Sequence, residues 1–106
     1  MIEDSADQLT ATIRDMIRES SHPLVAEDLI AQATLKEALE AEGVRESMQY
    51  ITRMLRDSNF VRVHGRPKIG GVPQYIWVKS GKFEGLSPND LFNIARNRSE
   101  KPESFV

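Results

Sequence analysis

The chain reads as a small α+β domain in which a three-helix core is followed by a two-stranded antiparallel hairpin and one further helix. Three observations lead there. Apolar residues recur at helical spacing through successive segments before residue 57. β-Branched and aromatic residues concentrate in two short runs, 60–63 and 74–79. A helix start of the form Ser-Pro-x-Asp stands at 87–90.

The first helix is expected over about residues 6–19. Ser5 followed by Gln8 forms a capping-box pattern, and Leu9, Ile13, Met16 and Ile17 lie on one face. Ser20, Ser21, His22 and Pro23 end it, because proline lacks the helix donor and pushes the residue before it out of the helical region. Leu24 and Val25 read as a short extended pair. AEDLIAQATLKEALEAEG then reads as helix, with Leu29, Ile30 and Ala33 on one side, Leu35 and Leu39 continuing the stripe, and Gly43 as the C-cap. One helix, or two with a break near Thr34, both fit this segment.

In VRESMQYITRMLRDSNF, Val44, Met48, Ile51 and Leu55 stand at i, i+4, i+7 and i+11, the apolar stripe of a third helix. Arg45, Glu46, Gln49, Tyr50, Arg53 and Arg56 fall elsewhere on its circumference, open to solvent or ligand. Asp57, Ser58 and Asn59 break it. FVRVH and YIWV follow as two strands joined by HGRPKIGGVP, a long hairpin tip. Tyr75 and Trp77 alternate with Ile76 and Val78, so the core is expected on one face of the hairpin and solvent or a neighbour on the other. Ser87, Pro88 and Asp90 fit N-cap, N1 and N3 of a last helix over about 88–97, carrying Leu91, Phe92, Ile94 and Ala95. The polar end, NRSEKPESFV, is expected to fray. Domain division follows as 1–86 for the main unit and 87–106 for the C-terminal helix and tail.

With 106 residues, 40% hydrophobic and 28% charged, the chain suits one globular domain and not a disordered segment. No apolar run approaches the ~20 residues of a membrane span, and the start, MIEDSADQ, is acidic. A cytoplasmic protein with no membrane partner is therefore expected. The lack of cysteine excludes disulfides and thiolate chemistry. Formal net charge is -2, but its distribution is uneven. Residues 1–42 hold three Lys/Arg against ten Asp/Glu, residues 43–82 eight against two, and residues 83–106 three against four. Either the two halves differ by chance or the second forms an electropositive binding face.

The order helix, extended piece, helix, amphipathic helix, strand, basic turn, strand resembles the winged-helix family over about residues 6–79. GVRESMQYITRMLRDSNFVRV is similar to that family's recognition-helix segment running into the first wing strand. One departure is the longer second helix, with TLKEALEAE inserted, which leaves open where the recognition helix begins. HGRPKIGG before an aromatic strand is also similar to the wing of modules attached to phage and plasmid replication proteins. The resemblance implies a winged-helix, helix-turn-helix module that binds double-stranded DNA, as a small transcriptional regulator or a replication or recombination accessory.

An α-helix fits the major groove, where arginine reads guanine and glutamine reads adenine, each with two hydrogen bonds. In helix-turn-helix proteins the N-terminal part of the second helix reads the bases, which points here to Arg45, Ser47, Gln49, Tyr50 and Arg53, with Arg56 on the same segment. Few acids balance these cations: only Glu46 and Asp57 share the segment. HGRPKIGGVP is not a P-loop, since its glycines lead into a strand and no GK[ST] occurs. As a wing, Pro67 stiffens it, Gly70 and Gly71 turn it, and His64, Arg66 and Lys68 reach phosphates or the minor groove. Gly65, Arg66 and Pro67 also resemble the centre of an AT-hook. Tyr75 and Trp77 have a second possible use, stacking on single-stranded bases.

Catalysis is not expected. His22 and His64 belong to no metal-ligand spacing, and the acids at 27, 28, 37, 40 and 42 lack a nucleophile or base beside them. Hence no cofactor and no small-molecule substrate are expected. The competing class is a protein-interaction module whose acidic helix 1 and residues 27–42 bind a basic partner. Leu91, Phe92 and Ile94 serve either a homodimer through the last helix or the domain's own core.

Overall fold

The computed structural model of the chain describes residues 5–100. In order they form α1 (Ser5–Glu19), β1 (Leu29–Ala31), α2 (Gln32–Ala41), α3 (Met48–Asp57), β2 (Phe60–Arg62), β3 (Lys68–Ile69), β4 (Val72–Pro73), β5 (Ile76–Lys79) and α4 (Pro88–Glu100). This is an α+β arrangement of four helices around a small antiparallel sheet. The capping-box side chain of Ser5 and the frayed tail beyond 100 lie outside the described residues. No helix among those described is long and apolar enough to cross a membrane.

The sheet has the order β1-β5-β2, with β5 in the middle. β5 pairs with β1 through Leu29↔Val78 to Ala31↔Ile76, and with β2 through Phe60↔Lys79 to Arg62↔Trp77. Leu29 and Ile30, expected on a helical stripe, are therefore strand. The reason is an ambiguity of period: three consecutive apolar residues suit a helix face or a strand buried on both sides, and β5 offers an edge that only a strand can satisfy. Val25, from the expected extended pair, makes a single bridge to Ile30, and Leu24 accepts from the Ala31 N–H at 2.8 Å.

α2 is one helix without a break at Thr34. Ala31, its N-cap, has no side chain that can cap it, so the cap comes from a distant segment. The Gln74 Oε1 accepts from the Thr34 N–H at 2.9 Å and from the Thr34 hydroxyl at 3.2 Å, and the Gln74 amide donates to the Ile69 carbonyl at 3.0 Å. At the other end Gly43, with φ 87°, closes a Schellman motif. Its N–H bonds the Glu40 carbonyl at 3.0 Å and the Val44 N–H bonds that of Leu39 at 2.8 Å. The chain then runs without regular structure to Ser47, which is extended and whose hydroxyl accepts from the Tyr50 N–H at 3.1 Å and starts α3. α3 thus begins at Met48, not at Val44, because Ser47 supplies the cap and residues 44–47 lead away from the Schellman turn.

Both faces of β1 and β5 are buried, which corrects the one-sided expectation, while Val61 and Arg62 of the edge strand β2 stay exposed. On one face Ile30, Phe60 and Trp77 pack with Ile13 and Ile17 of α1, Leu35 and Leu39 of α2, and Ile51, Met54 and Leu55 of α3. On the other, Leu29, Ala31, Ile76 and Val78 pack with Val63, Ile69 and the α4 residues Leu91, Phe92 and Ala95. The alternation of side chains along β1 and β5 sorts these residues into two cores. Trp77 is fully buried, and its indole N–H donates to the Gln32 Oε1 at 2.7 Å. It is closed to base stacking.

α4 starts as its sequence predicts, with the Ser87 hydroxyl accepting from the Asp90 N–H and the Asp90 carboxylate from the Ser87 N–H, each at 3.2 Å. It runs three residues past the expected end at 97. Leu91 and Phe92 are spent on the chain's own second core. β3 and β4 form a separate two-stranded ribbon with Ile69↔Val72 next to its turn. Gly70 and Gly71, at φ 63° and 83°, make this the two-residue turn that needs two positive angles.

Candidate functional site

Along the exposed side of α3, Met48, Gln49, Thr52, Arg53, Arg56 and Asp57 line one shallow, open surface. Their spacing of three and four places them on one helix face, opposite the buried Ile51, Met54 and Leu55. At the end of this surface Arg56 reaches the sheet, where its guanidinium carbon stands 5.8 Å from the centre of the Trp77 ring.

The hairpin brings further cations to the same sheet face. Arg62 is the cross-strand partner of Trp77, and its guanidinium carbon lies 4.6 Å from the centre of the Tyr75 ring. That of Arg66 is 5.9 Å from the same ring. At the far end the Lys79 ammonium is 4.7 Å from the Phe60 ring and donates to the Ser58 carbonyl at 3.2 Å. Guanidinium groups from α3 and from the hairpin therefore flank a common pair of aromatic residues, Trp77 and Tyr75.

These cations form no ion pair among the described residues. Among the described residues the ion pairs are Arg18–Asp15, Lys36–Glu40 and Arg98–Asp28, and none draws on Arg45, Arg53, Arg56, Arg62, Arg66 or Lys68. Of the three, Arg98–Asp28 is the best built, with two bonds of 3.0 and 2.9 Å between half-buried groups. Hydrogen bonding from Arg98, aided by its charge, holds the Asp28 carboxyl below its ordinary value against the opposing effect of burial.

The residues named from sequence separate into two sets. Gln49, Arg53 and Arg56 share the open face of α3, and Arg66 joins Arg56 at the aromatic pair. Arg45 is exposed but precedes α3, and its charge adds weakly to the Lys36 contact that lowers the Glu40 carboxyl. Ser47 is engaged as the N-cap. Tyr50 turns inward, packing against the first core with its hydroxyl 2.6 Å from that of Thr10 in α1. His64 is exposed in the turn after β2. Lys68 is exposed on the tip ribbon, whose neighbouring residue Ile69 is buried under α4.

Sequence reasoning passed over Arg62, Thr52 and Lys79. A signal for Arg62 existed: in FVRVH it shares the face of Phe60 by strand alternation, so a cation and an aromatic ring alternate on the core side. Among the described residues no group of three or more His, Asp or Glu is arranged to hold a metal ion. No protein-family model matches the chain, and neither a curated protein nor a solved structure matches it.

Proposed function

We propose that the chain is a cytoplasmic winged-helix module that binds double-stranded DNA, as a small regulator or a replication or recombination accessory. α3 enters the major groove and the β2–β5 hairpin lies along the backbone beside it. The observation that carries this reading is that guanidinium groups from α3 and the hairpin lie on neighbouring rings of β5 and its approach, Arg56 on Trp77 and Arg62 and Arg66 on Tyr75, beside the open surface of Gln49 and Arg53 and in no ion pair among the described residues. The order helix, strand, helix, helix, strand, ribbon, strand with β5 between β1 and β2 supports the winged-helix assignment. In this reading Leu91, Phe92 and Ala95 of α4 complete the chain's own core.

Gln49 and Thr52 are the candidates for base edges and Arg53 for guanine or phosphate. Titration of labelled duplex DNA at several salt concentrations tests the reading. Arg53→Ala or Arg66→Ala should weaken binding to all sequences and flatten the salt dependence by about 0.9 for each phosphate left without its cation. Gln49→Ala should cost about 1–3 kcal/mol at one base position only. Absence of binding at low salt, or binding indifferent to salt, would refute it. The competing reading, docking of a basic protein, draws on the exposed Glu37 and Glu42 beside α2 and gains only if duplex DNA fails to bind.

A further inference from the structure

We propose that the hairpin meets the DNA backbone through its flank and not its tip: Arg62, seated on the Tyr75 ring, is the phosphate-binding group, and Tyr75 is its positioning residue. The inference rests on the duplex-binding reading above and specifies which part of the hairpin serves it.

The tip is committed elsewhere. Ile69 is fully buried among α4 residues, and a Cβ at Gly70 would lie 3.2 Å from the Ser99 hydroxyl of α4. Before the ribbon, a Cβ at Gly65 would lie 3.0 Å from the Phe92 ring. The buried Gln74 side chain ties the returning strand to α2. Residues 65–74 are thus held to the body at several points. The tip cannot swing toward a ligand without uncovering Ile69.

The flank is placed differently. A guanidinium stacked on an aromatic ring uses its planar face, which leaves the N–H groups at its edges free to form the two-pronged bond that phosphate accepts. Arg62 sits 4.6 Å from the centre of the Tyr75 ring, is exposed, and is committed to no ion pair in the described chain. Arg66 approaches the same ring at 5.9 Å. Stacking also removes rotamer freedom from Arg62 before binding, so less is lost when phosphate arrives.

Fluorescence anisotropy with a labelled duplex of mixed sequence, run over a salt series, tests this on the full chain and on R62A, R62K, K68A, Y75F, Y75L and R62A/Y75L, each checked by thermal melting. R62A is expected to weaken binding and lower the salt slope by about 0.9. R62K is expected to keep most of the slope but bind more weakly, lacking the fork and the stacking plane. Y75F should bind as the natural chain does. Y75L should lose about 2- to 5-fold where Arg62 is present and clearly less in the R62A background, where only the more distant Arg66 still uses the ring. K68A should have less effect than R62A on both affinity and slope. An unchanged slope in R62A, equal losses from Y75L in both backgrounds, or a larger loss in K68A than in R62A overturns the flank proposal while leaving DNA binding in place. Should Y75L fail to fold, R62A, R62K and K68A decide the matter alone. If the natural chain binds no duplex, the DNA reading falls and this inference with it.

Discussion

Ile69→Ala measures how firmly the hairpin tip is docked. Ile69 belongs to a strand of two residues, yet it is fully buried with Leu91, Phe92 and Ala95 of α4. Truncation removes most of the side chain, worth about 2.4 kcal/mol at ~0.8 kcal/mol per buried methylene. The cavity left behind adds a cost that depends on how far the site collapses, and measured losses for such substitutions run about 2–5 kcal/mol. The ribbon lies at the margin of the second core and can settle partly into the gap, so a loss of about 2.5–3.5 kcal/mol is expected. For a chain of this size that lowers the melting temperature by roughly 10–20 °C. Urea unfolding followed through the single tryptophan, Trp77, gives the value directly, since that residue is buried in the opposite core and reports global unfolding. Val72, across the ribbon from Ile69 but 47% exposed, is the control, and Val72→Ala should cost about 0.5 kcal/mol or less. A loss below about 1 kcal/mol in Ile69→Ala would show that the tip does not rest on α4 and would remove the basis for assigning backbone contact to the flank.

The remaining expectations concern the elements that hold this frame. Ser47→Ala removes the α3 cap and should cost about 1 kcal/mol in denaturant unfolding, whereas Ser47→Asp should retain the cap and most of the stability. Gly70→Ala should destabilise more than Gly71→Ala: both sit at positive φ, a strain of about 1 kcal/mol or more, but only Gly70 also crowds Ser99. Asp28→Asn should cost about 1 kcal/mol near neutral pH, a figure kept small because the pair with Arg98 is partly solvated. The Asp28 carboxyl is held below 3.8, so the natural chain keeps this contribution above that pH and loses it as pH falls through the lower folded value. Melting temperatures of the two proteins should therefore converge below about pH 4, and a constant gap down to about pH 2 would count against the pair.

Much of the local structure was legible because it is written in local chemistry. The Ser87 and Asp90 cap, the two hairpin runs and half of the α3 stripe follow from residues a few positions apart, but of Val44, Met48, Ile51 and Leu55 only the last two are buried on α3, since the helix starts at Met48 and that residue is exposed. Errors arose where the deciding partner is distant. Leu29–Ala31 has the apolar character of a helix face and becomes strand because β5 lies beside it. α2 begins at Gln32 through a cap lent by Gln74, which no reading of its own sequence reveals. Tyr50 falls on the polar side of its helix by composition, yet Thr10 of α1 draws its hydroxyl inward.

For the candidate site the division is similar. The excess of positive charge between residues 43 and 82 is a property of the chain alone, as is the open polar face of α3, since a helical period orders side chains wherever the helix packs. Which cations meet is not. Arg56 is brought to the Trp77 ring and Arg62 to the Tyr75 ring only by the packing of α3 on the sheet and the pairing of β2 with β5. Lys68, equally basic, is carried off with a tip that α4 covers. Sequence determined the elements and their charges because hydrogen bonding and periodicity act over a few residues. The tertiary structure decided the docking of α4, the burial of both faces of β1 and β5 and the company of Arg62, because burial and strand pairing join residues with no proximity along the chain.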